Sequence, residues 1–358
     1  MTGIFLATRE RVARALDVDQ TAYRGPQIDQ ALDAATRDIC GALHWTNIHP
    51  VVATRYFDWP NQQHARPYRL WLEDNPLISA TTVTSGSVVI ADPDRFLEPV
   101  NTGPPFTRLE IDLASAASFN SGDTHQRSLG ILGLWGLGND EVPAGQLAAA
   151  VVSTTSTVMD VSDGSRVGVG SLLRIDSERV NVTDRAWIDS TFNLAGDVAA
   201  DDSATLIAVS GGTFFAGESI ILGAEEMPIK AVTGAGLVVE RAGNGTVLAA
   251  HTGAVDIYVN RRLTVERAAA GTTAATHLNA APVVAWDPPA LLESLAVAVA
   301  MDQVEQELGA YSRQIRSGDA AAEATGGGNT GTGLAASGLA GKWARAIRAH
   351  GRIRTGAI

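Results

Sequence analysis

The sequence predicts an α+β protein, and three observations predict it. Helical periodicity marks both ends of the chain, alternation of apolar and polar residues fills the middle, and within that middle two phrases are written twice. The expected layout is a helical core, made of an N-terminal helix pair plus a late helix, with a small β-rich unit. An inserted β-rich domain built from hairpin repeats and a flexible C-terminal arm complete it.

The helix pair comes first. "TRERVARALDVD" sets Val12, Ala15 and Leu16 on one face, with Thr8 placed to cap. "IDQALDAATRDICGALHW" then runs an amphipathic stripe through Ile28, Leu32, Ala35, Ile39 and Leu43, with Pro26 just before its start. Cys40 lies beside that stripe and reads as a small buried thiol. Residues 51–140 change texture. "VVATRYFDWP", "RLWLEDNPLISATTVTSGSVVI" and "RLEIDLASA" alternate and are cut by Asn-Pro, Ser-Gly and Asp-Pro signals, the marks of strands and turns. "LGILGLWGLGND" lacks the spacing of a nucleotide-binding loop and reads as a packed strand and turn.

Residues 146–286 carry the repeats. "LVVERAGNGTVLAAH" (237–251) is echoed 26 residues later by "LTVERAAAGTTAATH" (263–277). The echo aligns Glu240, Arg241, Gly245, Thr246 and His251 with Glu266, Arg267, Gly271, Thr272 and His277. A second echo sets "IDSERVNV" (175–182) against "LGAEEMPI" (222–229), with Glu178 opposite Glu225. Strand, glycine turn and short return make a hairpin, so the duplication reads as scaffold. His251 and His277 have no His or carboxylate at useful local spacing, which argues against a metal site.

The helical period returns at "WDPPALLESLAVAVAMDQVEQELGAY", where Asp287 can cap and Pro288 and Pro289 suit a first turn. Leu291, Leu295, Ala298, Val299, Asp302 and Glu305 follow at helical spacing, and the expected end is near Ser317. A Gly-rich, low-complexity linker follows, then a basic amphipathic segment. Leu339, Trp343 and Ile347 form its stripe, with Lys342, Arg345, Arg348, Arg352 and Arg354 around it. Expected boundaries are therefore 1–145 for core helices and β-rich unit, 146–286 for the inserted domain, 287–318 for the closing helix, and 319–358 for linker and arm.

Charge and composition narrow the function. The net charge is −12, yet residues 324–358 hold five bases and no acids, so a basic tail is joined to an acidic body. One cysteine excludes an internal disulfide framework and a thiolate zinc cluster. No apolar run reaches membrane length. "GLAGKW" is no P-loop, since Ala336 stands where glycine is needed and Trp343 replaces the Ser/Thr; "DVSDGS" lacks the later ligands of a calcium loop. No nucleophile–base constellation has recognisable context, so the expectation is a non-enzyme without metal or cofactor. The tail reads as a docking arm, its Trp343 and arginines being the residue types that anchor interfaces.

In this order the segments resemble a known family. The helical pair at 8–45, "RYFDWP", "LWLEDNPLISATTVTSG", "FLEPVNTGPPFTRLEID", "SLGILGLWGLG" and the closing "PALLESLAVAVAMDQVEQEL" look like head-to-tail connector (adaptor) proteins of long-tailed bacteriophages. The likeness covers about residues 4–145 and 287–317; the region 146–286 departs from the family's compact form. Modules of the "SE-x-V … VERA-x-x-GT … H" kind are similar to pieces of phage structural proteins. The resemblance implies a dodecameric ring at the virion neck, assembled from host cytoplasm. Its partners would be the portal protein, a stopper or tail-completion protein, and DNA passing through the channel, with no membrane contact. A different class of function, a tail or fibre module that binds a glycan or host surface, would use Trp187, Phe192, Phe214, Phe215 and Tyr258 as stacking faces.

Overall fold

In a computed structural model, residues 3–17, 24–60, 67–313 and 338–352 are described, the side chains of 308–313 excepted. The fold is α+β, with four α-helices among the described residues and three antiparallel sheets. The helices are α1 (Arg9–Leu16), α2 (Arg24–Leu43), α3 (Ala290–Arg313) and α4 (Leu339–His350). The expected linker 319–337 and Arg354 lie outside the described residues. No described helix is long and apolar enough to cross a membrane.

The chain divides into two compact units. One comprises Met1–Arg37, Glu141–Ala269 and Thr273–Arg345; the other comprises Asp38–Asp140, Ala270–Thr272 and Ala346–Ile358. The expected boundary at 145/146 thus falls near 140/141. The compact grouping places α1 and α2 as far as Arg37 with the later β-domain, and the end of α2 with residues 51–140, where the sequence groups both helices with 51–140.

In the second unit a four-stranded sheet runs in the order Val51–Phe57, Leu129–Trp135, Leu77–Ser85, Val88–Ile90. A three-stranded sheet places Arg108–Ile111 between Arg69–Trp71 and Arg95–Glu98, the last a strand the alternation did not reveal. Phe57, Leu77, Val83, Leu109, Leu129, Ile131 and Trp135 fill the core. The glycine-studded run is a strand, as its packing demanded. A Cβ on Gly133 would lie 2.3 Å from the Ser79 carbonyl oxygen.

The helices meet expectation in kind and differ in detail. Thr8 caps α1, its hydroxyl accepting from the Arg11 N–H at 3.3 Å. The buried face of α1 is Val12 and Ala13, and Ala15 is exposed. The α2 stripe Ile28, Leu32, Ala35, Ile39 and Leu43 is buried throughout, but the helix starts at Arg24, so Pro26 falls inside its first turn. Cys40 is half-buried rather than buried, and desolvation pushes its thiol up to about 11. On α3 the buried seam is Leu292, Leu295, Ala296, Val299, Ala300 and Val304, so Leu291 and Ala298 sit beside it. The helix opens at Ala290, and Pro289 lies just outside, accepting the Leu292 N–H.

The β-domain is one sheet built twice. Strands Leu172–Ile175 and Glu178–Asn193 pair Leu172 with Asn181 through Ile175 with Glu178. Strands Ser219–Leu222 and Glu225–Thr233 pair Ser219 with Pro228 through Leu222 with Glu225, every position displaced by 47 residues. Along the next ladder, Val182↔Val265 and Asp184↔Thr264 enclose a register shift. Ile229↔Val239 and Ala231↔Val238 enclose the same shift, displaced by 47 on one strand and 26 on the other. Residues 141–187 therefore match 188–234, and 261–286 match 235–260. An inner copy, 188–260, sits within the hairpin of an outer copy, 141–187 plus 261–286. The strands Glu178–Asn193 and Asp256–Glu266 are long because each runs from one copy into the other.

Candidate functional site

Each copy buries one carboxylate–arginine–histidine cluster. In the inner copy Glu225 leaves the start of a strand, Arg241 follows the next strand, and His251 ends the return. Arg241 grips the carboxylate with both arms, Nε to Oε1 at 2.8 Å and Nη2 to Oε2 at 3.0 Å. The backbone N–H groups of Ala242 and Ala249 donate to the same two oxygens at 2.9 and 3.1 Å, and His251 Nε2 meets Oε2 at 2.8 Å. The outer copy repeats each contact. Arg267 reaches Glu178 at 2.7 Å with both Nε and Nη2. Ala268 and Ala275 donate at 3.0 and 2.9 Å, and His277 Nε2 lies 2.9 Å from Oε2.

The chemistry of these clusters is structural. Both carboxylates are fully buried. Burial alone would raise their pKa, but the arginine, the two backbone donors and the histidine together hold each down to about 2. The remaining arginine donors clamp loops. Arg241 Nη1 binds the Ala199 carbonyl at 2.9 Å, and Arg267 Nη1 binds those of Ser153 and Ser156 at 3.0 and 2.9 Å. Directly after each arginine the backbone turns left-handed twice, at Ala242 and Asn244 and at Ala268 and Ala270. Non-glycine residues there cost about 1–2 kcal/mol each, a strain the bonds to the carboxylate offset.

The echoed residues are thus placed, and they divide. Arg241, His251, Arg267 and His277 are internal; Glu240 and Glu266 point outward, Glu240 pairing with Lys230. Gly245 and Gly271 have φ of +73° and +75° and close the turn, and in the inner copy Thr246 fixes it by donating to the Gly243 carbonyl and accepting the Glu226 N–H. Local spacing offers neither histidine a carboxylate, but the fold does: each contacts one supplied by the other echo, 26 and 99 residues away. At the histidine the copies differ. His277 Nδ1 also meets Asp176 at 2.9 Å, where the inner copy has Gly223.

The N-terminal segment docks on the outer copy. The Phe5 N–H donates to the Gly170 carbonyl at 3.0 Å, Arg9 N–H to Val169 at 3.2 Å, and Glu10 accepts the Val169 N–H at 2.9 Å. Gly170 has φ +91°, and a Cβ there would stand 2.1 Å from the Phe5 ring. Arg185, nearly buried, binds the Val167 carbonyl at 2.6 Å beside Glu10, and desolvation lowers its pKa. Arg11 pairs with Glu293 and Gln27 donates to Glu307 at 2.6 Å, tying both early helices to α3.

The C-terminal residues form a helix seated on the chain itself. Lys342 Nζ donates to the Ser294 carbonyl at 3.3 Å. The His350 carbonyl accepts from the Trp45 indole at 2.6 Å, Arg352 N–H donates to Leu43 at 3.0 Å, and Arg352 pairs with Asp74. Ala346 is buried, Leu339 and Trp343 are half-buried, and Ile347 is 46% exposed, so the seam turns away from the expected third position. Arg345 and Arg348 face solvent.

No family profile, curated protein or solved structure matches the chain.

Proposed function

We propose that this chain is a structural virion protein, a head-to-tail adaptor that forms a ring below the portal, extends the DNA channel and joins head to tail. The observation that carries the reading is the helical core interrupted by a β-domain: α1 and α2 are bonded to α3 although the whole repeated sheet intervenes in sequence. The acidic body suits a bore through which DNA slides, because like charge keeps phosphates from sticking. The outward face of α4, with Arg345, Ile347 and Arg348, offers positive charge and apolar surface to the portal protein. Repeated around a ring of twelve, weak contacts of this kind add up. A stopper or tail-completion protein would meet the opposite end, in the neck of the virion.

Electron microscopy of the purified protein with its portal tests this. Closed rings on the portal are expected, and removal of residues 325–358 is expected to abolish head–tail joining. Monomers on a bare portal, or normal joining without that segment, would count against it.

A second reading has one observation in its favour. Phe192, Phe214 and Phe215 line a cavity of about 350 Å³ with Ser190, Thr213 and Arg261, a setting with aromatic faces and hydroxyls for a sugar. A glycan array with clear hits would favour a tail or fibre-type binding module instead.

A further inference from the structure

We infer that residues 188–260 are a complete module lodged in the hairpin of its own duplicate, and that the two copies open independently of each other. Four observations lead there. Three of the ladders repeat residue for residue, one of them with its register shift, which two unrelated halves of one sheet would not do. The copies have separate cores. Val151, Val161, Leu173, Val182, Leu263 and Val283 belong to one cluster, all in the outer copy. Leu194, Ile207, Ile220, Ile229, Leu237 and Val259 belong to another, all in the inner.

The two carboxylate–arginine–histidine clusters are equally self-contained, and the buried carboxylate that does bridge the copies, Glu218 with Gly164 and Arg261, lies close to the point of entry. Glu225, Arg241 and His251, with the loop carbonyl of Ala199 and the donors Ala242 and Ala249, all lie within 188–260. Glu178, Arg267 and His277, with Ser153, Ser156, Ala268 and Ala275, all lie outside it. Finally, the inner copy enters and leaves at neighbouring points, since Ile188 pairs with Val259. That is the geometry in which a domain can be inserted without stretching its host. The inner copy itself shows how the host hairpin closes without an insert, through the short Thr233–Gly236 turn.

Contiguous cooperative units of this kind have their own opening free energies. The inner copy is then an accessory body, separable from the part that carries the N-terminal helices.

Hydrogen exchange on the full chain tests the inference. In an Arg241→Met variant, amides of 219–239 are expected to exchange at least tenfold faster, while those of 172–182 and 263–266 keep their rates. Arg267→Met should give the converse pattern. A rise in both copies alike, from either variant, overturns the inference. As a second measurement, residues 188–260 are removed and Trp187 is joined to Arg261, directly or through the sequence of residues 233–236. A cooperative melt with protected amides at 172–182 is expected from at least one version; loss of structure in both overturns it.

Discussion

The loop Val167–Gly170 of the outer copy and the loop Phe214–Gly217 of the inner copy occupy equivalent places but have opposite surroundings. The first is buried beneath the segment Phe5–Glu10, while Ala216 and Gly217 are exposed. The backbone is shared: Gly170 has φ +91° and Gly217 has φ +97°, and each donates its N–H to the facing strand, to Val182 and Ile229 respectively. Three of the four side chains differ, and the difference that meets the N-terminal segment is at Gly168. Outer Gly168 leaves room for Thr8 and Glu10, to which a Cβ would come within 2.6 and 2.3 Å. The inner copy has Phe215 there, with the Arg261 guanidinium over its ring. A duplicated scaffold has thus kept its internal cluster and diverged where another part of the chain meets it.

Substitutions at the arginines should break the comparison hardest. Arg241→Met and Arg267→Met each leave a buried carboxylate unpaired and are expected to cost about 3–5 kcal/mol, read from urea denaturation. Equal losses would sharpen the equivalence; a loss confined to one copy would break it. Next comes Gly170→Ala, which must displace the Phe5 ring and is expected to cost about 2–3 kcal/mol by adding a steric clash to backbone strain. Gly217→Ala meets only Ser165, at 3.6 Å, and should cost about 1 kcal/mol. Thermal melts of the pair give the difference.

Acid sharpens it further. Both cluster carboxylates titrate near 2 in the fold, below the ordinary 4.5. Their contribution is complete above about pH 4.5 and is lost as the pH falls towards 2. Amide exchange in the two copies should rise together over that window. The smallest effect is expected from Asp176→Gly, which makes the outer copy like the inner. Asp176 is 57% exposed, so the change should be under about 1 kcal/mol, within reach of a careful denaturation series.

Much of this was legible in sequence because the signals were local. Periodicity placed α1, α2 and α3, and alternation with turn residues placed most strands. The candidate cluster was half legible. Both echoes could be read, and Glu178 could be set against Glu225, but the echoes have different offsets, 47 and 26, because one copy interrupts the other. Only the ladders join them. Glu178 meets Arg267 at a separation of 89 residues, which no local spacing rule reaches. The strand Glu141–Gln146 was hidden for a related reason: its partner, Pro282–Trp286, lies beyond the whole insert.

The nesting also sets an order in time. Glu225 and Arg241 are 16 residues apart, against 89 for Glu178 and Arg267. Closing the longer loop from an open chain costs roughly 1.5 kcal/mol more in entropy. As the polypeptide emerges during synthesis, the inner copy has all its residues once Asn260 is made, while Glu141–Gln146, Val158–Asp160 and the free edges of the 172–187 hairpin still await their partners. The body that is last to be entered is first to be finished. Once it is folded, it draws the two waiting strands to within one turn of each other.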